Sequence, residues 1–244
     1  MATPPLSKPI LARPQDLRSD PELTLQITSL INKAFSRSKH SQPDKWHVSR
    51  LRFPNHELYY EMLGQDSVVA LIFHGPVGKT DSSSSSNTIS ESENGSPLQR
   101  ESASTGSSTL QSQSASGSKV VACAAAVPWN GGWTKEGAGK EEGWEIKAVA
   151  VDGHERFLKK GLAVQVMAAL EEHLIEQTKK QHHHASDLPK GVTLWILAAE
   201  CINGAYWRRR GYREVRRATE GQGTWGCKTT FDMVVFRKEV KCNP

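Results

Sequence analysis

Cysteine is scarce in this chain. Cys123, Cys201, Cys227 and Cys242 are its four in 244 residues, and no two form a C-x-x-C pair, so spacing offers no zinc site. No stretch is long and apolar enough for a membrane span, and Met1 to Pro14 carries prolines and charges in place of an apolar signal core. Basic residues do not alternate with aromatics as on a nucleic-acid platform, and Arg208-Arg209-Arg210 is too short a run to make one. These absences predict a cytoplasmic chain with reduced thiols, the nucleus remaining open, and no metal, nucleic-acid or membrane partner. Hydrophobic residues reach only 37%, low for a fully packed chain of this length. The net charge of +5, from 31 Lys and Arg against 26 Asp and Glu, suits an anionic ligand.

The hydrophobic deficit is local. From Thr80 to Ser118 the composition collapses into Ser, Gly, Gln, Asn and Glu, with five serines from Ser82 to Ser86 and no aromatic residue. Such a tract buries too little apolar surface to offset its ordering entropy, so 80–118 is read as a disordered insertion. Loop closure entropy rises slowly with length, so a single domain over 1–244, ordered at 15–79 and 119–241, tolerates it. A linker between two domains is the alternative, and the halves are too incomplete for that.

What remains is patterned. Asp20-Pro21-Glu22 reads as a helix cap, a first-turn proline and a first-turn acid. Ile27, Leu30, Ile31, Ala34 and Phe35 then follow at helical spacing, to about Ser38. A shorter helix is expected from His56 to Leu63, ended by Gly64. The apolar runs Val68 to Phe73 and Val120 to Val127 read as buried, neighbouring strands. A strand follows from Trp144 to Val151, and then a helix from Gly161 to Thr178 with Leu162, Val166, Ala169, Leu170 and Leu174 on one face. A strand from Val192 to Ala198, a short helix from Asn203 to Arg210, and two strands, Tyr212 to Arg217 and Phe231 to Val240, complete the order. Interleaved helices and strands predict an α/β (α+β) sandwich around one mixed sheet of about six to seven strands.

Chemistry concentrates at Lys159-Lys160-Gly161-Leu162-Ala163-Val164, between a strand and an amphipathic helix. A helix start exposes unpaired amides and positive dipole, glycine lets a ligand approach the backbone, and two lysines add charge, so the turn suits a phosphate. The plainer reading is an ordinary strand-to-helix turn with solvated lysines. Gly78-Lys79-Thr80 echoes a P-loop, but Phe73 stands where its first glycine belongs and no helix follows. His182-His183-His184 sits in a polar loop and reads as solvated.

The strand, turn and helix from Trp144 to Thr178 resemble the acyl-CoA-binding core of the GNAT superfamily of N-acetyltransferases. Its Gln/Arg-x-x-Gly-x-Gly/Ala motif falls on Leu158 to Ala163: Gly161 and Ala163 match, while Leu158 departs and Arg156 lies two residues upstream. A second segment, Asn203-Gly-Ala-Tyr-Trp-Arg-Arg-Arg-Gly-Tyr212, is similar to the family's strand-end Asn and its short helix ending in Tyr-x-x-x-Gly-Phe/Tyr. Trp207 holds the tyrosine position, with Tyr206 beside it. The stretch from Gly223 to Val240 also resembles uncharacterised fungal members.

The resemblance implies acetyl-CoA as co-substrate, a twisted mixed sheet with helices on both faces and splayed between the strands at Trp144 and Leu194, and direct attack of a primary amine on the thioester. Lys159 to Val164 are then expected to hold the pyrophosphate, backbone groups near Val149 and Val151 the pantetheine, and Asn203 and Trp207 to line the same site. The amine must lose a proton before attacking, and Glu145 is the candidate base, on a strand face shared with Lys147, Val149 and Val151; Glu200 is in reserve. Tyr206, or water, is the candidate proton donor to the thiolate. An edge-facing surface glutamate is the plainer reading of Glu145, and a packing helix that of Trp207. The acceptor, a small-molecule amine first and a protein lysine or N-terminus next, is expected among the first two helices and the loops near Trp46, Phe53 and Trp129. An acyl-CoA-binding sensor that has lost catalysis is the alternative. Monomer and homodimer are both open.

Overall fold

The structure, a computed structural model, describes residues 5–75, 117–181 and 191–242. Nearly all of the serine-rich tract, and His182 to His184, lie outside the described residues.

Helix starts follow local chemistry. After a short strand β1 (Ile10–Ala12) and a helix α1 (Pro14–Ser19), Asp20 caps α2 (Pro21–Lys39) by accepting the Leu23 amide at 2.9 Å. Asn55 caps α3 (His56–Leu63) by accepting the Leu58 amide at 3.1 Å. Gly64, at φ +68°, ends α3, and its amide returns to the Tyr60 carbonyl. Next come β2 (Val68–His74), β3 (Lys119–Pro128), β4 (Trp144–Val151), α4 (Leu162–Gln181) and β5 (Gly191–Ala199). A turn of π-helix (Glu200–Gly204) leads into α5 (Ala205–Arg209), and β6 (Arg213–Glu220) and β7 (Phe231–Lys241) form a hairpin. The expected helix at Asn203–Arg210 therefore begins as a π-turn. Neither β1 nor α1 was expected, because three to six residues carry no readable periodicity.

The strands form one seven-stranded sheet in the order β1-β2-β3-β4-β5-β7-β6. β4 and β5 run parallel and every other neighbouring pair antiparallel. β2 and β3 pair from Val68↔Ala126 to His74↔Lys119, as expected of the two apolar runs. Leu162, Val166, Met167, Leu170 and Leu174 of α4 are buried on one face with Ile146, Ile196, Trp207 and Phe236. Ile27, Leu30, Ile31 and Ala34 of α2 and Tyr59, Tyr60 and Leu63 of α3 cover the other face. Helices thus sandwich β3, and that is why its run from Val120 to Val127 is apolar at every position rather than alternating. Burying a side chain such as Leu170 or Leu174 is worth about 1.5–3 kcal/mol, so these two stripes fix the helices to the sheet.

β4 and β5 pair only at Trp144↔Leu194 and Glu145↔Trp195, and then part. The wedge they leave opens toward their C-terminal ends. Its α2 side is roofed by the chain between α2 and α3, which is tied to the β6–β7 loop. Trp46 bridges Cys227, the Gly226 carbonyl accepts the His47 amide, and the Lys45 carbonyl accepts the Lys228 amide, both at 2.8 Å.

Candidate active site

The wedge encloses a cavity of about 620 Å³. Its walls are Glu145 to Val151 of β4, Ile196 to Ala199 of β5, the C-terminal turns of α2, the 46–54 loop and Trp225. Asn203 and Trp207 close it from the other side. Beyond Glu145 no β4 residue pairs with β5, so that edge of the β4 backbone faces the cavity.

A bulge shapes this edge. While β3 advances two residues, from Cys123 to Ala125, its partner on β4 goes back three, from Ala150 to Lys147. The extra residue is accommodated by Ala148 at φ +52°, a left-handed conformation that an alanine adopts at a cost. Side chains change face across it. Trp144 and Ile146 pack on the α4 side before the bulge, and Val149 and Val151 pack there after it. Ala148 and Ala150 pack toward α2. Glu145 therefore points to the α2 side, opposite Val149 and Val151, and the expectation of one shared face is corrected: strict alternation fails where one residue is inserted.

Glu145 is 3% exposed, and its partner is the Lys147 ammonium at 2.9 Å. Burial pushes its carboxyl above the usual range, against the opposing pull of Lys147 and Arg52. It is a buried, cavity-lining carboxylate, not an edge-facing surface one.

At the other end, Asp152 anchors the loop leaving β4. Its amide donates to the Val121 carbonyl, and its carboxylate accepts from the His154 amide and the Lys119 ammonium. Phe157 is buried in the α4-side core, and Arg156 stacks on its ring at 4.6 Å. The turn that follows holds Lys159 at φ +59° and Gly161 at φ +74°. Gly161 accepts the Gln165 amide, so α4 begins there with the Leu162, Ala163 and Val164 amides heading the helix. Among the described residues, no backbone carbonyl accepts from the amides of Lys159, Lys160 or Gly161. These residues lie beyond the cavity wall, at the start of α4.

Of the residues singled out in the sequence, Glu145, Val149, Val151, Asn203 and Trp207 line the cavity. Tyr206, Glu200 and Trp129 lie off its wall. Tyr206 does not line the cavity; it packs against Trp207 with its hydroxyl buried and without a partner. Glu200 is held by both guanidinium nitrogens of Arg208, at 2.7 and 2.9 Å, outside the cavity wall. Trp129 stacks on Trp195 with ring centroids 4.7 Å apart, where β4 and β5 are still paired. Neighbours in sequence diverge here because consecutive side chains on a helix point about 100° apart.

Three residues were missed. Asn32 clamps the 46–54 loop: its side-chain oxygen accepts the Arg52 and Phe53 amides at 2.8 and 2.9 Å, and its nitrogen donates to the Phe53 carbonyl at 2.8 Å. Arg52, so held, lies among Phe35, Phe53 and Trp225, 5.6–5.8 Å from their ring centroids. Lys39 donates to the Trp225 carbonyl at 2.6 Å. The only local hint was a basic residue beside an aromatic one, at Arg52-Phe53.

No family model matches this chain, and no curated protein matches it. Solved structures do. A putative acetyltransferase from Acinetobacter baylyi superposes with a TM-score of 0.50 at 7% identity, over 98% of this chain and 94% of that one. An N-acetyltransferase from Staphylococcus aureus gives 0.44 at 10% identity, over 96% and 97%. NAA60 of Arabidopsis thaliana in complex with acetyl-CoA gives 0.42 at 13% identity, over 97% and 99%. The fold is the GNAT fold: a seven-stranded mixed sheet, open between two parallel strands, with helices on both faces.

Proposed function

We propose that this chain is an acetyl-CoA-dependent N-acetyltransferase that passes the acetyl group directly to a primary amine, with a small molecule as acceptor. The observation that carries the reading is the single wedge between β4 and β5. It has an open β4 backbone edge along its length, a helix start with free amides beyond one end, and a buried carboxylate at the other.

The residues present fit such a co-substrate. The amides of Lys159 to Val164, with two lysines, suit a pyrophosphate. The Asn203 side-chain oxygen and the Trp207 indole nitrogen are buried without partners in the cavity wall, and suit the amides of a pantetheine arm. Acetyl-CoA, when bound, supplies an activated acetyl group. The open amides of β4 around the Ala148 bulge then hold the thioester and polarise its carbonyl. Glu145 takes the proton from the acceptor ammonium, directly or through water, and the neutral amine attacks. Attack forms the N–C bond and breaks the C–S bond. The departing thiolate takes its proton from water, since Tyr206 lies off the cavity wall. Holding both reactants in one cleft contributes much of the rate.

A small acceptor is favoured because the 46–54 loop and Trp225 roof the α2 side of the cavity. A protein lysine or N-terminus is the second reading. The four cysteines are free thiols, which suits the reducing cytoplasm. The test is a melting curve with acetyl-CoA, against NAD and ATP, followed by thiol release with an amine panel. At about 100 times the dissociation constant, linkage predicts roughly 2.7 kcal/mol of stabilisation. An unchanged curve would sink the reading; binding without turnover on any amine would make the chain a sensor.

A further inference from the structure

The charge in the cavity wall is lopsided. Among the described residues, Arg37, Lys39, Arg50, Arg52 and Lys147 line it, and Glu145 is its one carboxylate. Arg37 donates to the Val151 carbonyl at the end where β4 leads into the Lys159 turn. The other four belong to the α2 side, or share a strand face with Glu145. Lys147 is paired with Glu145. Lys39, 7% exposed, and Arg50 each donate to a backbone carbonyl of the β6–β7 loop, Trp225 and Gly223.

Arg52 differs from these. Three aromatic rings surround its guanidinium. Glu145 is the carboxylate whose charge reaches it, and Lys147 already neutralises that group. A guanidinium has five N–H donors and no acceptor. Two indoles of the wall beside it, Trp46 and Trp225, also have buried nitrogens without partners, and an indole only donates. Burial lowers the affinity of Lys39 for its own proton, and the neighbouring charges of Arg50 and Arg52 lower it further. A cavity of donors and cations complements anionic oxygen, while its lone carboxylate complements an ammonium.

We infer that the acceptor is an amine that also carries an anionic oxygen group, carboxylate or phosphate, with the amine at Glu145 and the anion at Arg52. This rests on the proposed acetyltransferase reading. It narrows the substrate class to amino acids, amino phosphates or peptides with an acidic start, and counts against polyamines and basic peptides.

The test uses matched pairs that differ in the anion: tryptophan and tryptamine, phosphoethanolamine and ethanolamine, and short peptides with acidic or basic first residues. Thiol release with acetyl-CoA gives kcat/KM, and calorimetry without acetyl-CoA gives binding. The expected result favours the anionic member by about ten- to a hundredfold, the worth of one charge-assisted hydrogen bond. The winning pair tells carboxylate from phosphate, and free amine from peptide. Arg52→Gln removes the preference, Arg52→Lys keeps part of it, and neither changes acetyl-CoA affinity. Equal or better use of the neutral members by the unaltered chain, or a preference that survives Arg52→Gln, overturns the inference. Failure of acetyl-CoA to bind overturns the acetyltransferase reading instead, and the calorimetric pairs still decide the anion preference.

Discussion

The Lys147 ammonium lies 2.9 Å from the Glu145 carboxylate, two residues along one side of β4 and just before its bulge. Burial raises the Glu145 pKa and Lys147 opposes the rise. A base works only when deprotonated, so activity should fall as pH drops through a pKa above the usual carboxylate range. Glu145→Gln is expected to keep acetyl-CoA binding and lose roughly 10²–10⁴-fold in turnover. Lys147→Met removes the opposing charge and should move the acid limb of kcat/KM to higher pH. An unchanged limb in both variants would make Glu145 a bystander.

Ala148 should tolerate glycine and resist larger residues. Its left-handed backbone costs about 1–2 kcal/mol, which Ala148→Gly relieves, offset by about 0.5–1 kcal/mol of chain entropy. Near-neutral stability is expected. Ala148→Val puts a β-branched residue in the same conformation, and should lose about 1–3 kcal/mol together with acetyl-CoA affinity. Urea unfolding and a cofactor titration check both. Equal stability of the two variants would mean that the bulge is not held.

Tyr206→Phe should leave turnover within about threefold, because the hydroxyl is buried away from the cavity. Removing an unpartnered buried hydroxyl should also leave the fold as stable or more stable, by up to about 1–3 kcal/mol. Trp207→Ala, at the cavity wall, should weaken acetyl-CoA binding instead. A large fall in kcat for Tyr206→Phe, with binding intact, would restore the tyrosine as proton donor.

Asn32→Ala strips three hydrogen bonds from the loop that carries Arg52. The expected cost is about 1–3 kcal/mol, since the loop amides are only partly buried and water recovers some of the loss. Affinity for anionic amines should fall with it, while acetyl-CoA affinity holds. Hydrogen exchange at the Arg52 and Phe53 amides should rise, and unchanged protection there would show that the clamp is dispensable.

Much of the fold was legible because it repeats. The α2 and α4 stripes recur every three to four residues, and the apolar runs at Val68 and Val120 can satisfy their burial only inside a sheet covered on both faces. The turn at Gly161 was legible because glycine and helix-start chemistry are local. The bulge was not: Ala148 is an ordinary alanine in the sequence, and its left-handed turn is set by register against β3.

The sequence by itself determined the longer elements, their order and the glycine turn that opens α4, since each depends on residues within a few positions of one another. Only the tertiary structure decided which side of the sheet Glu145 faces, which of Tyr206 and Trp207 reaches the cavity, and that Arg52 stands in its wall. Those outcomes depend on contacts between distant segments. One inserted strand residue reverses a face, one helical step turns a side chain by about 100°, and the loop bearing Arg52 is placed by Asn32, 20 residues away.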